Sequence, residues 1–365
     1  MRGYLPARAA RILFLFTVIA SNGTQAFISS SQSYQRPITN RYESSSNLSS
    51  STNLSSSLND IKAAVIVPGF LTGADEMQPL VDALQKRGIP SIAVPFPNNH
   101  WIPCLGGRSA RPILERIDYT VRHLAYHNGD VTKVPKEIKY SWIDCALDFN
   151  DNPGGVLEVG GSSEVDLFPQ NVNPRGEFLS ESIPDRKDAK GRIALIGHSA
   201  GGWISRVYLS NRNYGGRSYN GSELVHSLVT LGSPNANAPG AAFKSIEWIN
   251  REEIPDNVRA LAVAGKGFQG DKCGTFTKNA YSFCCSEGSD GSQYDGDGVT
   301  PVFSALAMEG KNCDKLVLEG DILHFSFGDT FGGDLFTGDL ARMQRERNLS
   351  WYASDEAIEQ WVGWL

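Results

Sequence analysis

Cysteine is scarce in this chain. Six occur in 365 residues, at Cys104, Cys145, Cys273, Cys284, Cys285 and Cys313. They are too few and too scattered for a disulfide-built scaffold; free buried thiols are the favoured reading, with a bridge between Cys273 and Cys284 or Cys285 as the alternative. No CxxC pair or His/Cys cluster has zinc-site spacing, so neither a metal nor an organic cofactor is expected. A basic block is also missing: 34 Lys and Arg stand against 40 Asp and Glu, a net charge of −6. This balance argues against nucleic acid as a partner and leaves peripheral contact with a lipid surface open. No apolar run approaches the roughly 20 residues that span a bilayer. There is no internal repeat, and nothing in the sequence sets an oligomeric state.

The first 59 residues have the composition of an address. Arg2, Arg8 and Arg11 precede the apolar run ILFLFTVIA at residues 12–20, and small residues follow. This is the signal-peptide pattern, with the expected cut after Ala26. Residues 27–59 are Ser-rich, carry Arg36 and Arg41, and contain Glu43 as their one acid before Asp60. Such a stretch has too little apolar surface to fold and reads as a transit-like disordered segment. A signal peptide followed by Ala26-Phe27 and a transit-like stretch resembles the bipartite presequence of algae with secondary plastids. The resemblance implies a chloroplast address. The rival is secretion or residence in the endoplasmic reticulum, which the sequons at Asn47, Asn53, Asn220 and Asn348 would fit. Import of a fluorescent fusion of residues 1–59 into plastids distinguishes the two from export.

From residue 60 to 365, strand and helix signals alternate. Apolar, β-branched runs at 62–70, 91–97, 192–199, 225–234, 258–265 and 314–321 read as buried strands. Helical spacing appears at 75–88, at 111–127 with Pro112 near its start, at 201–211, and at 354–365 with Ser354 as N-cap. Alternation of this kind predicts an α/β fold: a mostly parallel sheet covered by helices on both faces. Residues 129–190 break the alternation. They are rich in Gly, Pro, Asp, Asn and Ser and read as an insertion of lid-like length. Residues 235–257 and 266–295 read as shorter insertions.

One stretch carries chemistry. In RIALIGHSAGGWI (192–204) a strand enters a helix through Gly197-His198-Ser199-Ala200-Gly201. This is the nucleophile-elbow pattern, whose turn is so tight that neighbouring Cβ atoms would clash. The serine oxygen then stands above the sheet at a helix N-terminus, where a developing negative charge is stabilised. A serine needs a base, and in this topology acid and histidine follow it in chain order. Of six histidines, His324 alone follows a late strand. His198 lies inside the elbow, turned away from Ser199, as a packing residue. His123 and His127, four apart on a helix, lack a third ligand and read as a solvated face. For the acid, DGDGVTP (295–301) offers Asp297, favoured as the opening residue of a turn before Pro301, and Asp295 as the alternative. The spacing of a calcium loop is absent around Asp290, Asp295 and Asp297. For the oxyanion, Ala200 supplies one amide. Phe70, after Gly69, supplies the second, with Leu71 in reserve; Pro68 has no N–H. The loop at 98–107 offers Trp101, Ile102 and Leu105 as an acyl-pocket wall or as plain packing.

With these residues together, the chain from Lys62 onward resembles the α/β-hydrolase superfamily on its lipase side. VPGF takes the place of the oxyanion turn, with Pro68 where many lipases have histidine. GHSAGG is similar to the elbow, TLGSPN (230–235) to the segment after the next strand, DGDGVTP to the acid loop and ILHFSF to the histidine loop. The resemblance implies an α/β-hydrolase fold and a serine carboxylester hydrolase with a Ser199–His324–Asp297 triad. Its substrate would be an acyl ester, with the plastid address suggesting a glycerolipid. A lipid acyltransferase, or an enzyme like the inositol deacylases of glycosylphosphatidylinositol, would use the same parts. A non-catalytic binding protein on the same fold is the alternative from another class.

Overall fold

A computed structural model describes residues 58–96, 98–101, 110–135, 183–214, 218–240, 243–285, 289–326 and 339–365. The candidate address segments before residue 58 lie outside them, as do Ile102, Leu105, Cys104, Cys145 and most of the 129–190 insertion.

Seven strands form one sheet in the order β2-β1-β3-β4-β5-β6-β7. They are β1 (Asn59–Val67), β2 (Ser91–Ala93), β3 (Gly191–His198), β4 (Val225–Leu231), β5 (Arg259–Lys266), β6 (Cys313–Leu323) and β7 (Ser350–Trp351). Every pairing is parallel. With helices on both faces, this is an α/β-hydrolase fold.

The central strands β1, β3, β4 and β5 are buried on both sides over most of their length, which is why they read as continuous apolar runs. Alternation along β1 divides the core: Ala63, Val65 and Val67 enter one cluster, Ala64 and Ile66 the other. Among the described residues the helices are α1 (Gln78–Lys86), α2 (Arg111–Tyr126), α3 (Ala200–Leu209), α4 (Lys244–Ile249), α5 (Gly274–Phe283), α6 (Val302–Ala305), α7 (Asp339–Arg347) and α8 (Asp355–Trp361). On the first face pack α2, through Ile113, Leu114, Ile117, Val121 and Leu124, and α3 and α4, through Trp203, Ile204, Ile246 and Trp248. The second face takes α1 through Leu80, Val81 and Leu84, and α7 and α8 through Leu340, Ile358 and Trp361. Each large apolar side chain buried this way contributes roughly 1.5–3 kcal/mol. No helix among the described residues is long and apolar enough to cross a membrane.

Several local expectations change. The first strand stops at Val67, because Pro68 removes a ladder donor. The second spans Ser91–Ala93, ending short of Pro95 at the edge of the sheet. Helices α4 and α5 occupy parts of the two shorter insertions. Ser354 does precede α8, but its hydroxyl accepts from Trp351 N at 2.8 Å instead of capping the helix. Cys273, Cys284 and Cys285 are free buried thiols, the reading the sequence favours over a bridge.

Chain order fixes where the site lies. The chain leaves β1 for β2 on one side and returns to β3 on the other. The carboxyl ends of β1 and β3 therefore flank a switch point, the usual place for a ligand crevice in an open α/β sheet.

Candidate active site

Ser199 follows the last residue of β3 and precedes α3. Its backbone is held at φ 54, ψ −129, a region that costs of order 1–3 kcal/mol for a residue with a side chain. The surroundings enforce it. A Cβ on Gly197 would lie 2.4 Å from Gly202 Cα, and one on Gly201 would lie 2.1 Å from Val67 O. Gly202 is constrained too, since a Cβ there would meet Ser233 Oγ at 2.3 Å. The Ser199 amide donates to Leu231 O at 2.9 Å, tying the elbow to β4.

The loop after β1 lies directly over the serine. A Cβ on Gly69 would sit 2.7 Å from Ser199 Cβ. The loop is closed by Thr72, whose amide and hydroxyl donate to Gly69 O at 3.0 and 2.7 Å, with Leu71 at φ 55. The amides of Phe70 and Ala200 donate to no other protein group among the described residues. Trp101 is fully buried against Phe70 and Trp203, with ring centroids 5.5 and 6.0 Å away. It therefore takes a packing position behind the loop after β1.

His324 follows the last residue of β6 and is fastened at three points. Its Nδ1 lies 2.7 Å from Asp297 Oδ2, and its amide donates to Asp297 O at 2.9 Å. Its carbonyl accepts from His198 Nε2 at 2.7 Å. Because the carboxylate takes Nδ1–H, the neutral ring presents Nε2 as its free acceptor. The His198 and His324 rings are 4.8 Å apart, so the histidine loop lies beside the elbow. No hydrogen bond joins Ser199 Oγ to the imidazole among the described residues. Such contacts are commonly longer before substrate binds.

Asp297 is fully buried and saturated with donors. Oδ1 accepts from Val299 N and Thr300 N at 3.0 and 2.7 Å, and Oδ2 accepts from His324 and from Tyr352 OH, the latter at 2.8 Å. Four donors on one carboxylate leave both of its oxygens satisfied. Asp295, the alternative acid, is exposed and accepts from Gly296 N in its own turn and from Gly267 N, just beyond β5. His123 of α2 and His127, just past its end, stack at 6.0 Å, with His123 buried and not solvated. Among the described residues, no group of three His, Cys, Asp or Glu is placed to hold a metal ion.

His198 packs as expected and is also a polar tie. Donation to the His324 carbonyl fixes its proton on Nε2, while Nδ1 is buried without a partner. Burial, reinforced by the neighbouring His324 ring, lowers its pKa to about 3, so it is neutral wherever His324 can work as a base.

Three supports have no signature in the sequence reading. Tyr352, 55 residues beyond Asp297, reaches its carboxylate. Tyr281 donates to Phe268 O at 2.7 Å and accepts from Gly298 N at 2.8 Å, bracing the acid loop. Gly232 has φ +56, and a Cβ on it would lie 2.5 Å from Asp297 Oδ2 and 2.7 Å from Tyr352 OH. Gly232 does stand in the TLGSPN segment, so its position was visible although its reason was not.

Residues 175–252 match the family described as PGAP1-like alpha/beta domain. The matched segment contains β3, the elbow, α3 and β4, and stops before Asp297 and His324. It supports a hydrolase of general esterase, lipase or deacylase type. The chain matches no curated protein.

Proposed function

We propose that this α/β-hydrolase-fold chain is a serine carboxylester hydrolase acting on a lipid or other acyl ester. One observation carries the reading: a buried Asp297–His324 pair at 2.7 Å is bonded through the His324 carbonyl to His198, the residue before a strained serine at the N-terminus of a helix. Ser199 Oγ attacks the ester carbonyl as His324 Nε2 takes its proton. Asp297 holds the ring in the Nδ1–H tautomer and stabilises the imidazolium. The Ala200 and Phe70 amides receive the oxyanion, each contributing roughly 2.7–4 kcal/mol to barrier lowering. The imidazolium then protonates the leaving alcohol, and water releases the acyl enzyme by the same route.

The match over residues 175–252 supports an esterase, lipase or deacylase in general, and a lipid deacylase is a narrower reading within this class. The chemistry at Ser199 is the same. A fluorophosphonate probe tests the common core. The full chain is expected to label, and Ser199→Ala to lose both labelling and ester hydrolysis. Labelling that survives in Ser199→Ala would place the nucleophile elsewhere. Lipid extracts treated with either protein then identify the ester consumed.

A further inference from the structure

The acid loop is held by a residue that no motif marks. Tyr352 follows the last residue of β7 and is fully buried. Its oxygen accepts from Gly265 N at 2.8 Å, which occupies a lone pair and leaves its single proton directed at Asp297 Oδ2, 2.8 Å away. That oxygen also receives His324 Nδ1. The arrangement is crowded: Gly232, with no side chain, makes room for both Asp297 Oδ2 and Tyr352 OH. Burial and the adjacent carboxylate raise the phenol's pKa well above its ordinary value, so it remains a donor at all working pH.

We propose that Tyr352 is a positioning residue for the reaction, sharing the charge of Asp297 and thereby tuning the basicity of His324. The inference rests on the hydrolase reading for its kinetic consequence, not for its electrostatic one. With the hydroxyl present, Oδ2 divides its charge between two donors. Without it, the charge falls more fully on the imidazole, which then holds its proton more tightly. The other titratable groups facing this cluster are His198 from β3, Tyr281 from α5, Cys284 at the end of α5 and Asp295 from the acid loop. His198, Tyr281 and Cys284 are shifted towards their neutral forms. Asp295 lies on the acid loop in both the native and the substituted protein.

The test is Tyr352→Phe in the full chain, read two ways. A histidine nitrogen NMR titration should show the His324 pKa raised by about one unit, the scale of one hydrogen bond to a charged group. The acid limb of kcat/KM should move to higher pH by the same amount, with kcat at the plateau about tenfold lower. Loss of stability alone decides nothing, because the variant also strands Gly265 N–H. Trp361→Phe therefore serves as control: it removes a bond from Trp361 Nε1 to Tyr352 O at 3.2 Å and should lower Tm without moving the titration. An unshifted His324 titration in Tyr352→Phe overturns the proposal, whatever the activity. A shifted titration in a protein that hydrolyses no ester supports the tuning and removes the hydrolase reading instead.

Discussion

Acid should loosen this protein through His198. The ring is buried, donates from Nε2 to His324 O, and has its pKa lowered to about 3. In the unfolded chain a histidine titrates near ~6.5. The folded value lies below the unfolded one, so between them the unfolded chain binds the proton that the folded ring refuses. Stability is therefore complete above about pH 6.5 and falls as the pH is lowered, by up to ~1.4 kcal/mol per unit for this one group. From pH 7 to pH 5 the loss is about 2 kcal/mol. Against a total stability of roughly 5–15 kcal/mol for a domain, that is a measurable fraction.

The perturbation is His198→Asn, which removes the titration while keeping an N–H donor. Urea unfolding of both proteins at pH 7 and pH 5, followed by tryptophan fluorescence, isolates the effect. His100, lowered to about 4 mainly by burial, loosens the fold in the same pH window. It does so equally in both proteins and cancels in the difference. The wild type should lose about 2 kcal/mol more than the variant between the two pH values. Equal losses would mean that His198 protonates readily in the folded chain, and would leave two competing bases beside the serine.

Two further outcomes follow from the acid loop. Asp297→Asn keeps the volume but cannot hold the imidazole in the Nδ1–H tautomer with full negative charge, and should lower kcat roughly 10⁴-fold with little change in KM. A loss smaller than tenfold would show that another group orients His324. Gly232→Ala places a methyl 2.5 Å from Asp297 Oδ2 at a φ of +56. It should cost about 2–4 kcal/mol in urea unfolding, combining left-handed strain with overpacking, and should lower activity as the carboxylate is displaced. Wild-type stability in this variant would refute the crowding argument.

What was legible in the sequence had a local cause. The elbow could be read because its strain is relieved by glycines within five residues of Ser199, and His324 because a single histidine follows a late strand. The pairing of Asp297 rather than Asp295 with His324 hinges on which carboxylate the turn of residues 297–300 captures through its own amides. Helices α4 and α5 were hidden because they are short and lie in stretches rich in Gly, Asn and Cys. Ser354 misled because its hydroxyl had a nearer backbone donor, Trp351 N. Tyr352 was invisible for another reason: a hydrogen bond across 55 residues leaves no periodicity and no spacing.

The parallel sheet nevertheless supplies a rule that would have found it. All seven strands run the same way, so their carboxyl ends share one edge. Ser199 directly follows β3, Gly232 follows β4, His324 follows β6 and Tyr352 follows β7. Gly69 and Phe70 stand just beyond β1, and Gly265 lies in the last turn of the ladder of β5. The candidate site is therefore a list of strand ends, and Asp297 reaches it on the loop that leaves β5. A residue's chance of touching the site depends on how soon it follows a strand, more than on its distance in sequence from the serine. The two-residue β7 carried too weak a pattern to be recognised as a strand. Once it is placed, the first residue after it must stand beside the histidine that follows β6, its neighbour in the sheet. A tyrosine there has one polar atom to satisfy in a dry interior, and the Asp297 carboxylate and Gly265 amide are what that interior offers.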